Sequence, residues 1–251
     1  MNFVLVHGAF QGGWCWNRVR KILQETGHQV FAPSLTGLGE RKHLLDPAIG
    51  LDTHVQDISN LLEFEDLGNV ILVGHSYGGM VITGACELAS NRIRHLVYVD
   101  ALMPRDGESN LDILDPEVSQ IIRQLAVDGW RVSPPTDVLL AYLGIESAED
   151  RSWMADRIAP QPLRTFEQPL PLPTRAAERA ISKTYVHCTK PTSGCAYEKS
   201  AARAQAEGWG YFEMATAHEA MMILPGALAE ILVQIANRTA KSLLDVGEPS
   251  I

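Results

Sequence analysis

The sequence predicts an α/β fold, with a mostly parallel sheet of about six strands and helices on both of its faces. Short β-branched and aliphatic runs, which are typical of strands buried on both faces, alternate with amphipathic stretches. A proline-rich segment interrupts this alternation, which then resumes. The 251 residues, 46% of them hydrophobic, are enough for one such domain with an insertion.

The elements before the interruption follow one another in βαβ order. Aliphatic runs predict strands over residues 2–6, 29–32, 70–73 and 95–99. Apolar residues at helical spacing predict helices over residues 14–25, 52–65 and 79–89. Gly27 ends the first of these helices, as glycine commonly does.

Residues 105–180 (the insertion) break this rhythm and predict a helical cap between the two parts of a core domain, residues 1–104 and 181–251. Short helices are predicted over residues 115–127, 136–143 and 148–158. A cap at this point should cover the carboxyl ends of the strands, where open α/β sheets bind ligands. We interpret the proline-rich run 169–173 as a stiff connector, and a polyproline recognition ligand is the alternative.

After the insertion, the core domain resumes with strands predicted over residues 184–189 and 210–215. An amphipathic stretch from Ala227 to Ile235 predicts a late helix.

Composition and charge disfavour several classes of protein. The net charge of −9 argues against a nucleic-acid or membrane partner, so a small molecule is the expected partner. No apolar run approaches membrane-spanning length and the first strand begins at residue 2, so we expect a cytoplasmic protein. Cys15, Cys86, Cys188 and Cys195 lack metal-type or redox-type spacing, and we interpret them as core thiols.

The pentapeptide Gly74-His75-Ser76-Tyr77-Gly78 is the most informative motif of the chain. It lies between a buried strand and a helix, where a serine must adopt a strained backbone and small neighbours relieve the crowding. Such a turn exposes the hydroxyl of Ser76 and directs the amide of Tyr77 toward an oxyanion formed there. We therefore predict that Ser76 is a nucleophile.

A serine nucleophile needs a base, and His218 is the histidine whose context fits. It follows the last predicted strand and precedes the amphipathic stretch, in the chain order that nucleophile-elbow hydrolases use. The segment His7-Gly8-Ala9-Phe10 follows the first strand, and its backbone can curl toward the serine. We predict that the amides of Ala9 and Tyr77 form an oxyanion hole. No metal or organic cofactor is expected.

Several segments together resemble the α/β-hydrolase superfamily, most closely its plant methyl esterases and hydroxynitrile lyases and their bacterial esterase and amidase relatives. The resemblance rests on residues 3–9, 13–16, 74–79 and 101–104. It implies a helical cap, allows a homodimer, and places His7 beside the oxyanion loop in a structural role. The plant lyases have threonine where this chain has Gly8 and lysine where it has Glu219, so both departures favour an esterase.

The acid of the triad departs from the pattern that this resemblance implies. The plant enzymes place an aspartate after the penultimate strand, but here no carboxylate follows that strand until Glu198. Asp100 ends the strand after the elbow helix, and some α/β-hydrolases carry their acid there. We predict that Asp100 orients His218, with Glu198 and a Ser-His dyad as the alternatives.

The expected reaction is cleavage of a small, largely apolar carboxylic ester, carbamate or amide through an acyl-enzyme. Phe10, Met103, Trp130 and Trp153 are candidates for the pocket wall, together with Tyr77, Leu143 and Phe166. Three alternatives remain open. They are a hydroxynitrile lyase-like activity, a cofactor-free oxygenase or peroxidase activity, and a non-catalytic homologue that binds a small ligand.

Overall fold

Six parallel strands form the central sheet of the computed structural model, which describes residues 1–174, 181–190 and 196–245. The strands are β1 (Asn2–Val6), β2 (Gln29–Phe31), β3 (Val70–His75), β4 (Ile93–Val99), β8 (Ser182–Cys188) and β9 (Gly210–Met214). Their order across the sheet is β2-β1-β3-β4-β8-β9, and every pairing is parallel. The predicted α/β fold with six parallel strands is confirmed.

Alternate residues of the strands serve two separate hydrophobic clusters, because successive side chains of a strand point to opposite faces. Val4 and Leu72 belong to one cluster, and Leu5 and Val73 belong to the other. The first cluster includes side chains of α2 (Leu51–Phe64), α3 (Gly78–Ala89) and α9 (Ala196–Ala206). The second includes side chains of α1 (Asn17–Glu25), α10 (Ala220–Ile223) and α11 (Pro225–Asp245). Both faces of the sheet are therefore covered by helices.

Residues 105–174, the described part of the insertion, contain five helices and a small antiparallel sheet that the sequence did not predict. The helices are α4 (Asn110–Ile113), α5 (Pro116–Gln124), α6 (Thr136–Tyr142), α7 (Ala148–Ala155) and α8 (Arg164–Glu167). The sheet consists of β5 (Ala126–Val127), β6 (Arg131–Val132) and β7 (Gln161–Pro162). The prediction of a helix over 115–127 is wrong for its last residues, because α5 ends at Gln124 and the chain continues into β5. Asp128 and Gly129 then adopt positive φ and turn the chain into a hairpin.

The proline-rich run 169–173 packs against the core domain. Leu170 and Leu172 are buried in the same cluster as α2 and α3. Leu172 N donates a hydrogen bond to Asp106 Oδ1 at 2.7 Å, and Leu170 N donates to Glu108 O at 3.0 Å. These contacts support the interpretation of the run as a connector.

Three of the four cysteines, Cys15, Cys86 and Cys188, are buried free thiols, which agrees with the prediction. Cys195 lies outside the described residues. Within the described part of the chain, every helix is too short or too polar to cross a lipid bilayer.

Candidate active site

Ser76 occupies the turn between β3 and α3 with a backbone φ of +54°, a region that L residues rarely adopt. The turn is crowded, which explains its glycines. A Cβ atom at position 74 would lie 2.6 Å from Gly78 O, and one at position 78 would lie 2.8 Å from Val6 O. Since α3 begins at Gly78, the amide of Tyr77 lies at the N-terminus of that helix. The predicted elbow geometry is therefore present around Ser76.

Asp100 and His218 form a buried pair. Oδ2 of Asp100 lies 2.6 Å from Nδ1 of His218, and both side chains are at most 2% exposed. The backbone of Asp100 has a φ of +41°, and its N–H donates to Val186 O at 2.8 Å. Its second oxygen, Oδ1, accepts a hydrogen bond from Cys188 N at 3.3 Å. Asp100 is therefore held at the carboxyl end of β4 by contacts with β8.

Glu198, the alternative acid, lies on α9 with an exposed side chain. Because Asp100 contacts Nδ1 of His218, the structure brings Asp100 and not Glu198 to this imidazole.

The imidazole of His218 is enclosed by aromatic rings and has one nitrogen available. Its ring centroid lies 4.5 Å from that of His75 and 4.4 Å from that of Tyr197. The Nδ1 proton faces the carboxylate of Asp100, so Nε2 is the acceptor. Nε2 is buried and makes no hydrogen bond with any described residue. A buried acceptor left in this way is expected at a site where a substrate or a reacting hydroxyl supplies the donor.

His75 has a structural role beside the imidazole of His218. Its Nε2 donates to the backbone carbonyl of His218 at 3.0 Å, and this contact holds the loop that carries His218. Burial lowers the pKa of His75 well below its usual value, so the ring is neutral.

One tyrosine contacts Ser76 and a second contacts the first, and sequence reasoning missed both of them. The hydroxyl of Tyr197 lies 3.0 Å from Oγ of Ser76, and the hydroxyl of Tyr142 donates to that of Tyr197 at 3.2 Å. Tyr197 belongs to the first turn of α9, and Tyr142 is the last residue of α6 in the insertion. No pattern in the sequence marks either position, because their proximity to Ser76 depends on how these helices pack.

The loop predicted to supply the oxyanion hole approaches the elbow closely. A Cβ atom at Gly8 would lie 2.9 Å from Nδ1 of His75 and 3.1 Å from Cβ of Ser76. Ala9 and Tyr77 line the same cavity as Ser76 and His218. The position of this loop is therefore compatible with the predicted oxyanion hole.

His7, at the base of the loop, has the structural role that was expected. Its Nδ1 donates to Gly8 O at 2.8 Å, and its Nε2 accepts from Leu35 N at 3.1 Å. Burial lowers the pKa of His7 to about 4, so the ring is neutral and its Nε2 can accept this hydrogen bond.

Residues of the insertion hold the other end of this loop. Phe10 has a φ of +66°, and its N–H donates to Oε1 of Gln161 at 2.9 Å. The buried Gln161 is oriented by its own hydrogen bond to Oγ1 of Thr165 at 2.8 Å, and Ala159 N donates to Phe10 O at 2.9 Å. Sequence analysis missed Gln161, because a lone glutamine among prolines carries no recognisable pattern. The insertion therefore helps to set the position of the amide of Ala9.

A cavity of about 760 Å³ opens over Ser76 and His218. Its wall is largely apolar and comes mostly from the insertion, including Leu114, Val118, Ile121, Ile122, Leu125, Val138 and Leu139. Of the predicted wall residues, Phe10, Tyr77, Leu143 and Phe166 line it. The volume lies in the range of pockets that bind drug-sized molecules.

The prediction is wrong for three wall residues. Met103, Trp130 and Trp153 are absent from the described lining of this cavity. Met103 is buried in the hydrophobic cluster on the α2 and α3 side of the sheet. Trp153 packs edge-on against Trp14 at 5.3 Å. Trp130 lies in the hairpin between β5 and β6, where the guanidinium of Arg131 packs on its ring. Aromatic and apolar side chains fill hydrophobic cores as readily as pocket walls, so residue type alone did not locate them.

A second buried carboxyl group follows His218 directly in the chain. Glu219 is fully buried, and its Oε2 accepts from Nε2 of Gln11 at 2.8 Å. Burial raises the pKa of Glu219 to about 7, because the charged form is poorly solvated there. This glutamate therefore changes its charge in the neutral pH range.

Comparison with known proteins places the chain among hydrolases. The model of the Alpha/beta hydrolase family matches residues 3–231. A carbendazim hydrolyzing esterase from Nocardioides sp. (strain SG-4G) is 35% identical over 246 residues, which cover 93% of this chain and 99% of that protein. Methyl jasmonate esterase 1 from Vitis vinifera is 30% identical, over 74% of this chain and 72% of that protein.

Among solved structures, an extracellular alpha/beta-hydrolase from a Paenibacillus species matches with a TM-score of 0.83 at 24% identity, over 93% of this chain and 98% of that chain. The methylesterase MES16 from Arabidopsis matches with a TM-score of 0.76 at 24% identity, over 94% of this chain and 99% of that chain. These two similarities concern the fold.

Proposed function

The chain belongs to the alpha/beta hydrolase family, and from this premise we propose that it is a serine hydrolase that cleaves a small, largely apolar ester, carbamate or amide through an acyl-enzyme. The observation that carries the proposal is the arrangement around His218. Asp100 holds Nδ1, Nε2 is left as a buried acceptor, and the same cavity contains Ser76 on its strained turn.

In the proposed mechanism, Oγ of Ser76 attacks the substrate carbonyl while Nε2 of His218 accepts its proton. The carboxylate of Asp100 keeps the imidazole in the required tautomer and stabilises the imidazolium that forms. The amides of Ala9 and Tyr77 bind the developing oxyanion. The imidazolium then protonates the leaving alkoxide or amine, and water releases the acyl group from Oγ by the same steps.

The relatives favour an ester as the substrate. Two proteins that share at least 30% identity with this chain over most of its length are described as esterases. The cavity supports an apolar group next to the scissile bond, because this group would lie among aliphatic side chains of the insertion. A carbamate or an amide places the same carbonyl over Ser76 and differs mainly in its leaving group.

The contact between Asp100 and His218 weakens the proposal of a non-catalytic ligand-binding homologue. The argument for that alternative is the absence of a carboxylate directly after the penultimate strand. In the structure, the carboxylate of Asp100, at the end of β4, contacts His218 instead. The lyase-like alternative still depends on threonine and lysine, where this chain has Gly8 and Glu219.

The test is hydrolysis of p-nitrophenyl acetate and butyrate by the wild type, Ser76→Ala and Ser182→Ala. Ser182 is an exposed serine at the start of β8 and serves as the matched control. We expect Ser76→Ala to lose about 1,000-fold or more in kcat/KM with its melting temperature unchanged, and Ser182→Ala to match the wild type. An active Ser76→Ala variant, or an inert wild type that does not react with a fluorophosphonate, would contradict the proposal.

A further inference from the structure

The hydroxyl of Tyr197 contacts the atom that carries the acyl group in the proposed mechanism. It lies 3.0 Å from Oγ of Ser76, and both side chains are more than nine-tenths buried. We propose that Tyr197 is a further catalytic residue, which donates a hydrogen bond to Oγ as this oxygen leaves the acyl group during deacylation. Tyr142 is a positioning residue that acts through Tyr197. This inference rests on the proposed serine hydrolase function.

The hydrogen bonds of the two tyrosines have a consistent direction. Tyr142 donates its proton to the hydroxyl oxygen of Tyr197 at 3.2 Å, so the proton of Tyr197 is available for Ser76. The proton of Ser76 is then left for transfer to Nε2 of His218 during the reaction, because this buried nitrogen makes no hydrogen bond with any described residue. Burial raises the pKa of Tyr197, so its hydroxyl stays protonated and keeps its donor.

The position of Tyr197 is fixed by contacts on two sides. Its ring packs against the imidazole of His218, with centroids 4.4 Å apart and an angle of 32° between the planes. Its backbone carbonyl accepts from the hydroxyl of Tyr185 at 3.3 Å, and the same hydroxyl lies 3.1 Å from the carbonyl of Ala101. Ala101 follows Asp100 directly, so the start of α9 is tied to the segment that carries the acid. A donor fixed in this way needs little reorganisation during the reaction.

In deacylation, charge develops on Oγ as its bond to the acyl carbon breaks. The oxygen of water bonds to the acyl carbon, and its proton passes to Nε2 of His218. The bond between the acyl carbon and Oγ then breaks, its electron pair goes to Oγ, and the proton on Nε2 moves to Oγ as the acid leaves. The proton of Tyr197 stays on Tyr197 throughout.

Tyr197 should therefore favour deacylation over acylation. The ester oxygen of an acyl-enzyme is a weak acceptor, whereas a departing Oγ is a strong one, so this hydrogen bond strengthens in the transition state. In acylation the departing oxygen or nitrogen belongs to the substrate. A donor on Oγ then gives a smaller net advantage, because it stabilises Oγ as this oxygen loses its proton but also lowers the nucleophilicity of the same oxygen.

The experiment follows the acyl-enzyme directly in Tyr197→Phe. The enzyme is mixed with p-nitrophenyl butyrate in a stopped-flow instrument, and the decay of the butyryl adduct is measured by quenching and intact-protein mass spectrometry. We expect the adduct to decay about 10- to 100-fold more slowly than in the wild type, with a burst of p-nitrophenol and kcat/KM within about threefold. Tyr142→Phe should slow the decay in the same direction by a smaller factor.

Tyr98→Phe is the matched control. Tyr98 is also buried, and its hydroxyl also bonds another hydroxyl, that of Thr83 at 2.8 Å, but it lies outside the cavity. The butyryl adduct of Tyr98→Phe should decay at the wild-type rate. A slowed decay in this variant would overturn the inference, because removal of a buried hydroxyl outside the cavity would then have the same effect.

Two other results would also overturn the inference about Tyr197. One is an unchanged decay rate in Tyr197→Phe, and the other is an equal loss in kcat and kcat/KM without a burst. If Ser76→Ala is inactive in the same assays, either result leaves the proposed function standing. If the wild type forms no adduct at all, the proposed function itself fails.

Discussion

Oδ2 of Asp100 lies 2.6 Å from Nδ1 of His218, although the two residues are 118 positions apart in the chain. Asp100 ends β4, and the histidine lies in the loop after β9. The strand β8 separates β4 from β9 in the sheet, so the carboxylate reaches across the end of β8 to meet the histidine. The predicted acid, Asp100, thus lies on the strand next to the one that the resemblance to the plant enzymes implied.

Asp100→Asn should lower kcat for p-nitrophenyl butyrate about 1,000- to 10,000-fold while leaving the melting temperature close to that of the wild type. The amide keeps the shape of the side chain but cannot stabilise the imidazolium, and it allows the wrong tautomer of His218. Steady-state kinetics and thermal unfolding measure the two effects separately.

Glu198→Gln is the control for Asp100→Asn, because it removes the alternative carboxylate from the exposed face of α9. We expect wild-type kinetics from this variant. A large loss in Glu198→Gln with an active Asp100→Asn would reverse the assignment of the acid, and little loss in either would favour a Ser-His dyad.

Gly8→Ala should reduce kcat about 10-fold or more, because the new methyl group would lie 2.9 Å from Nδ1 of His75 and 3.1 Å from Cβ of Ser76. The loop would have to withdraw from the elbow, and the amide of Ala9 would move with it. Gly68→Ala is the control, since its Cβ meets no described atom within 4 Å. If both variants keep full activity, the loop of Gly8 does not contribute to the oxyanion hole.

Glu219→Gln should stabilise the protein at high pH only. Burial raises the pKa of Glu219 to about 7 in the folded state, against 4.5 for an ordinary glutamate. Stability that depends on the protonated form is fully present below pH 4.5 and is lost as pH rises through about 7. The shift corresponds to a cost of at most about 3 kcal/mol for the ionised wild type at pH 8. Glutamine has no such dependence.

Urea unfolding at pH 5 and pH 8 tests this prediction. The difference in unfolding free energy between Glu219→Gln and the wild type should grow between the two pH values. Glu230→Gln, at an exposed position of α11, should show the same difference at both. A constant difference for Glu219→Gln would mean that this carboxyl group does not titrate between the two pH values.

Ile121→Gln should raise KM for p-nitrophenyl octanoate about 3- to 10-fold and change KM for the acetate little. Ile121 lies on α5, lines the cavity and is 52% exposed, so it offers an apolar edge that only a long acyl group reaches. Leu88→Gln is the control, because Leu88 is 60% exposed on α3 and lies outside the cavity wall. Equal effects on both esters would place the acyl chain elsewhere.

The fold could be predicted because its strongest signals are local. Val70–Val73 is buried on both faces, and such strands read as unbroken aliphatic runs wherever they occur. The small sheet of the insertion could not be predicted, because two-residue strands such as β6 are too short to show any periodicity.

The sequence by itself indicated Ser76 and His218, and it indicated Asp100 with Glu198 and a Ser-His dyad as alternatives. Each of the three residues follows a recognisable strand, and parallel strands bring their carboxyl ends to one edge of the sheet. Only the tertiary structure decided which side chains surround them. Tyr197 and Gln161 lie 121 and 151 positions from their partners Ser76 and Phe10, and packing of helices and of the insertion brings them together. Such contacts depend on side-chain fit between distant elements, which leaves no periodic pattern in the chain.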